Sequence, residues 1–133
     1  MGRQYKGRRI SGGVVDGTAL VSKERFSFLY TEAETGRFLD KNHSCYGESV
    51  KDKILIIPWM RANLDMWKLY WCWKEGNAPK AIIAVEADDY IIAGTIMCDI
   101  PCVHRLEVDP TTTFKSGQKI KVDGNQGLVA LLD

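Results

Sequence analysis

The sequence predicts a single α/β domain in three layers: a β ribbon or barrel, a central sheet and a helical layer. Three observations carry this reading. Short β-branched and apolar runs separated by turn residues dominate both ends of the chain. Two strand–helix units occupy the middle, at residues 54–76 and 81–98. The length of 133 residues supplies one domain with a real core, spanning 1–133, and is too short for two.

From the N-terminus, residues 9–15 mix Ile10, Val14 and Val15 with Gly12 and Gly13, a strand with a bulge or tight bend. Asp16-Gly17 reads as a turn and residues 18–22 as a second strand. Residues 26–30 are apolar and aromatic around Ser27, residues 31–36 are a polar loop, and residues 42–48 are irregular, with His43, Cys45 and Tyr46. Residues 49–53 lead into the stretch that organises the chain. Residues 54–57 are a continuous apolar run, which suits a strand covered on both faces. Pro58 cannot donate to a ladder and ends it. Asn63 is a good helix N-cap, Asp65 lies in the favourable first turn, and Gly76 followed by Pro79 stops the helix.

Between strand and helix lies a loop holding Arg61, beyond the carboxyl end of a strand and beside a helix start. Such a place can hold an anion; an ordinary βα turn with a solvated arginine is the plain alternative. The helix itself is apolar nearly all round. Trp67, Tyr70, Trp71 and Trp73 cannot all face one sheet, so a second aromatic face is left for a partner or a second copy of the chain.

Residues 81–85 form another β-branched run. Asp88 caps a second helix reaching about Cys98, whose core stripe is Ile91, Ile92, Ile96 and Met97. Residues 100–103 are a short strand, and Asp109-Pro110 with its threonines is loop. Residues 118–122 and 128–131 are the closing strands around a turn at 123–127. The crossover rule makes the helix-linked strands parallel neighbours.

A net charge of +1 gives no electrostatic case for nucleic acid, although Arg3, Lys6, Arg8 and Arg9 cluster locally. No apolar run approaches membrane-spanning length, and the first apolar residues are scattered among arginines, unlike a secretory signal. Cys45, Cys72, Cys98 and Cys102 form no C-x-x-C pair. They read as free, mostly buried thiols in a reducing cytosol, and not as metal ligands.

Several segments resemble, in order and spacing, the small subunit or swivel domain of aconitase X-type dehydratases. They are Gly17-Thr18-Ala19-Leu20-Val21-Ser22, Phe26-Ser27-Phe28-Leu29, Glu34-Thr35-Gly36, Gly47-Glu48-Ser49-Val50 and Lys53-Ile54-Leu55-Ile56-Ile57-Pro58. Asn77-Ala78-Pro79, Glu86-Ala87-Asp88, Ile100-Pro101 and residues 117–127 continue the pattern. The resemblance implies a swivelling β/β/α three-layer domain that closes as a lid over a larger catalytic subunit. That subunit would carry an iron–sulfur cluster, whose iron serves as Lewis acid, while this chain holds no cofactor of its own. Together they would remove water from a small hydroxy acid such as phosphomevalonate or cis-3-hydroxyproline.

The resemblance breaks where the family usually has two glycines after Ser-Phe-Leu and this chain has Tyr30 and Thr31, and again in the loop after the central strand. The family loop after the central strand reads roughly Pro-Gly-Gly-Arg-Gly-Ser-Ser, against Pro58-Trp59-Met60-Arg61-Ala62-Asn63-Leu64 here. Asn63 stands where the family has a catalytic or substrate-contacting serine, and an amide cannot relay a proton as a hydroxyl can. Arg61 is the candidate to pair with a substrate carboxylate or phosphate. Glu86 and Asp88 match the family's acidic segment, though capping alone would explain Asp88. His43 and Ser49 are weaker substrate-binding candidates: His43 also reads as a surface-loop residue, and Ser49 as a hydroxyl satisfying a turn. The runner-up function is a non-catalytic binding or structural module on the same fold. A phosphohistidine-carrying swivel domain shares the Gly-x-x-Ile-x-Val-Asp-Gly ending, but has a histidine where this chain has residues 86–89.

Overall fold

The structure is a computed structural model that describes residues 3–60 and 64–132. Its strands are β1 (Gln4–Lys6), β2 (Arg8–Ser11), β3 (Val14–Val21), β4 (Lys53–Ile57), β5 (Ala81–Ala84), β6 (Cys102–His104), β7 (Lys119–Asp123) and β8 (Leu128–Leu131). Its helices are α1 (Leu64–Lys74), α2 (Asp89–Met97) and the short α3 (Pro110–Thr113), with a 3-10 turn at Phe28–Tyr30.

One eight-stranded sheet runs in the order β1-β8-β7-β3-β4-β5-β6-β2. The expected ribbon and central sheet are therefore parts of a single sheet. β3 joins them, pairing antiparallel with β7 and parallel with β4. The two edge strands, β1 and β2, are separated by Gly7 alone, so the sheet rolls round until its edges meet. Gly7 N–H donates to Gly127 O at 2.8 Å. A Cβ on Gly127 would come within 2.9 Å of Gly7 O, and the φ of 70° also calls for glycine there.

This rolled sheet explains the unbroken apolar runs. Along β4, Ile54 and Ile56 point into the rolled interior with Phe114, Ile120, Val122 and Val129, while Leu55 and Ile57 face the helical layer. β5 divides in the same way, Ala81 and Ile83 inward, Ile82 and Ala84 toward the helices. Both strands are covered on both faces, as the sequence predicts. β4, β5 and β6 run parallel, linked by α1 and α2.

Three local expectations change. Asp16-Gly17 is not a turn: β3 runs straight through it, pairing with Lys121 and Ile120, and Gly17 leaves room for Ile54 and the Lys80 stem. The bend expected at Gly12-Gly13 is present, and Gly13 has a φ of 120°. α2 buries Ile91 and half-buries Ile92, but Ile96 and Met97 are 57% and 47% exposed. Its contact with α1 is instead made at Gly94, which lets Leu69 and Met66 approach. The Asp109-Pro110 segment is α3, with Asp109 accepting from Thr111 N–H at 2.9 Å and proline in the first turn.

Candidate active site at the carboxyl ends of the parallel strands

β3, β4, β5 and β6 all deliver their C-termini to one end of the domain. Open α/β sheets bind ligands at this end, because the following loops converge there. The chain leaving β4 is held from two sides. On one side Phe26 N–H donates to Trp59 O at 3.0 Å, Phe26 bridges to Met60, and the Arg25 guanidinium lies 4.7 Å over the Trp59 ring. On the other, Val85 N–H donates to Ile57 O at 3.0 Å and Glu86 N–H to Pro58 O at 3.4 Å. Arg61 and Asn63 lie outside the described residues.

The far flank of the loop is anchored as firmly. Asp65, in the first turn of α1, is fully buried. Its Oδ1 accepts from Ser27 Oγ at 2.8 Å and from Leu29 N–H at 3.2 Å. Residues 25–29 therefore brace the chain both before and after positions 61–63.

Glu86 sits at the mouth of this end. Its carboxylate takes a bidentate pair from Arg105, Nε to Oε1 at 2.9 Å and Nη2 to Oε2 at 2.8 Å. The Arg105 hydrogen bonds hold the Glu86 carboxyl below its usual range, against an opposing desolvation effect and with the Arg105 and His104 charges adding to the lowering. An arriving anion thus meets a balanced pair. Arg105 itself has a φ of 54°, unusual for a non-glycine, and its N–H reaches back to Val85 O at 3.2 Å. Beside it, buried His104 accepts Ala87 N–H at Nδ1, at 3.0 Å. Burial holds the His104 pKa below its ordinary value, with Arg105 and Arg8 adding to the effect and Glu86 opposing it. Asp88 caps α2, accepting Ile91 N–H at 2.8 Å.

His43 also lies at this end, but as a strut. Its side chain is only 5% exposed, which corrects the surface-loop reading. Nδ1 accepts Cys45 N–H at 3.0 Å, so Nε2 carries the proton and faces Ser22 Oγ at 3.1 Å and Arg25 O at 3.3 Å. Phe26 and Phe38 pack on its ring. Ser49 is not brought to this end. It precedes β4, at the amino end of the parallel strands and about 17 Å from the loop at ~3.3 Å per residue. Its hydroxyl donates to Thr35 O and accepts Lys51 N–H.

Sequence reading passed over Arg105, Arg25 and the Ser27–Asp65 pair. The traces of the last were Ser27 within the Phe26-Ser27-Phe28-Leu29 segment and Asp65, read as a dipole partner in the first turn of the helix. The four cysteines are free and buried, and burial pushes Cys45, Cys72 and Cys98 up to about 11 and Cys102 up to about 12. Such thiols pack as small apolar groups in the core. Among the described residues no group of three or more His, Cys, Asp or Glu side chains could hold an ion. Nor, among the described residues, is any helix long and apolar enough to cross a membrane.

Known proteins match this arrangement end to end. The phosphomevalonate dehydratase small subunit of Methanocella arvoryzae is 40% identical over 130 residues, covering 96% of this chain and 98% of its own. The same subunit of Thermococcus sibiricus is 41% identical over 128 residues, covering 95% and 96%. The crystal structure of Thermococcus kodakaraensis aconitase X in its holo form superposes with a TM-score of 0.93 at 36% identity, over 99% of this chain and 100% of that one. A solution NMR structure of a UPF0107 protein gives 0.89 at 32% identity, over 98% and 100%. The aconitase X swivel domain matches residues 4–131. With a fold that is mixed α/β and a match along almost its whole length, the chain belongs to the aconitase X swivel-domain family.

Proposed function

We propose that this chain is the small, lid subunit of a heteromeric hydro-lyase of the aconitase X type, working in a reducing cytosol. In this reading a larger subunit carries the iron–sulfur cluster and the pair dehydrates a small hydroxy acid. The observation that carries it is the end-to-end similarity to phosphomevalonate dehydratase small subunits, which makes a phosphorylated hydroxy acid the first substrate to test. In this reading the four separately buried thiols pack the core and the cluster belongs to the partner. A partner also accounts for the outer face of α1, where Trp67, Trp71 and Trp73 are 57%, 37% and 40% exposed. Solvent-facing tryptophans on one helix are costly for a free monomer and ordinary at an interface.

Within the proposed site Arg61 binds the anionic end of the substrate. Asn63 orients it by hydrogen bonds where the family uses a hydroxyl, and Glu86 with Arg105 forms the rim. Asp88 and His43 hold the backbone that carries these groups. The test is reconstitution with the large subunit of the same source, followed by steady-state kinetics on phosphomevalonate and unphosphorylated hydroxy acids. Arg61→Ala is expected to cost about 2–4 kcal/mol in kcat/KM without altering the melt. Arg61→Lys should recover only part of that. Wild-type kinetics in Arg61→Ala would take the loop out of the active site. A complex that forms but turns over none of these acids would favour the non-catalytic module.

A further inference from the structure

The outer surface of α1 carries a ridge between two grooves. Trp71 is the ridge and lines both. One groove, about 280 Å³, lies among Trp67, Tyr70, Trp71 and Lys74. The other, about 320 Å³, lies between α1 and residues 29–39. Leu29, Tyr30 and Leu39 supply its apolar wall, and Glu32, Glu34 and Lys68 its charges. The grooves therefore differ in sign. The first holds one cation, Lys74. The second holds two carboxylates against one ammonium, and Lys68 Nζ lies 5.4 Å over the Trp71 ring. Neither Lys74 nor Glu34 has an ion-pair partner among the described residues. The apolar part of the face is wide. Leu29, Tyr30, Leu39, Trp67, Trp71 and Trp73 are 37–57% exposed. At about 150–250 Å² for each aromatic side chain, they leave on the order of 500 Å² open, near the upper end of what a monomer exposes.

We infer that this face pairs with a second copy of the chain, as an isologous two-fold dimer, when the large subunit is absent. A two-fold axis along the Trp71 ridge lays each groove over the other groove of the second copy. Trp71 then meets Trp71 at the axis, and Lys74 of each copy meets Glu32 and Glu34 of the other. The favourable contact forms twice, and no groove faces its own charge. The open area falls short of the ~800 Å² a side of a tight interface, so the pair is weak and exchangeable, with a Kd on the order of 10–100 µM. A chain diluted well below that Kd, as in a thermal melt, is monomeric. The same face is proposed above for the large subunit, so homodimer and heteromer exclude each other. That exclusion rests on the lid reading, whereas the pairing rests on the face alone.

The test is sedimentation equilibrium of the isolated full-length chain, from roughly tenfold below to tenfold above that Kd. The mass should rise from that of one chain to that of two. Trp71→Asp should stay a single chain throughout, with an unchanged far-UV circular dichroism spectrum. Lys74→Glu and Glu34→Lys should each weaken pairing about tenfold, and the two together should restore it, because the exchanged charges face each other only across the two-fold axis. A single chain at every concentration, a wild-type Kd in Trp71→Asp, or a double variant that pairs no better than the single ones would each overturn the inference. No large subunit or turnover enters the test. A negative result therefore leaves the enzymatic reading standing, and an inactive complex leaves the dimer standing.

Discussion

Asp65→Ala should damage the fold as much as the loss of a large core side chain. The carboxylate is fully buried and accepts from Ser27 Oγ at 2.8 Å and Leu29 N–H at 3.2 Å. Hydrogen bonds to a charged group contribute roughly 1.5–3 kcal/mol each, so two give a gross loss of about 3–6 kcal/mol. Two effects trim it. Leu29 N–H keeps a second acceptor in Ser27 Oγ at 3.3 Å, and removing a buried charge also removes its desolvation cost. The net expectation is about 3–4 kcal/mol, a large share of the ~5–15 kcal/mol that holds a domain together. At this chain length that corresponds to a Tm lower by roughly 10–15 °C. Urea denaturation followed by far-UV circular dichroism measures it directly. Ser27→Ala should cost about 1–2 kcal/mol, since the carboxylate keeps Leu29. A loss below about 1 kcal/mol for Asp65→Ala, or a larger loss for Ser27→Ala, would refute the idea that this pair pins α1 to residues 27–29.

Other expectations are as direct. Trp67 and Trp71 touch at a tilt of 55°, ring centroids 5.3 Å apart, and face solvent, so their joint replacement by alanine should barely move the melt of the isolated chain. It should weaken association with the large subunit at least about tenfold by calorimetry; undiminished binding would place the interface elsewhere. His104 is held below its ordinary pKa by burial, so the unfolded chain takes up its proton first as pH falls. Its contribution is complete above the ordinary histidine range and is lost as pH drops through that range toward the lower folded value. His104→Gln should flatten this part of the Tm–pH profile. With their pKa pushed up to about 11–12, the four thiols should resist a disulfide reagent in the native state and react fully in urea.

How much of this could be read from the sequence depended on distance along the chain. β4, its proline stop and α1 ending near Gly76 were legible because apolar runs, Pro58 and Gly76 act locally. The Asp16-Gly17 dipeptide misled because a turn signal is only a propensity. Here β7 and β4 flank it, and the missing Cβ serves the packing of Ile54. α3 was missed for a similar reason: three β-branched threonines hid a sound Asp109 cap and Pro110 start. Closure of the sheet had no local signature at all. It depends on β1 meeting β8 and β2 meeting β6, pairings between opposite ends of the chain or across its middle.

The candidate site divides along the same line. The existence of the loop after β4 was legible, whereas its bracing was not, because Ser27–Asp65 and Glu86–Arg105 are paired by the fold across 38 and 19 positions. That bracing bears on whether the altered loop is a damaged one. Where the family pattern has two glycines, this chain has Trp59 and Met60. Random decay would leave two bulky side chains without a place. Instead Met60 is 2% exposed within the helical-layer core, and the Trp59 ring lies under the Arg25 guanidinium. Cation–π contact of this kind contributes ~0.5–1 kcal/mol at an exposed site, and burial of a methionine roughly 1.5–3 kcal/mol. Both new residues have built partners, and the backbone on both sides of Arg61 is tied to residues 25–29.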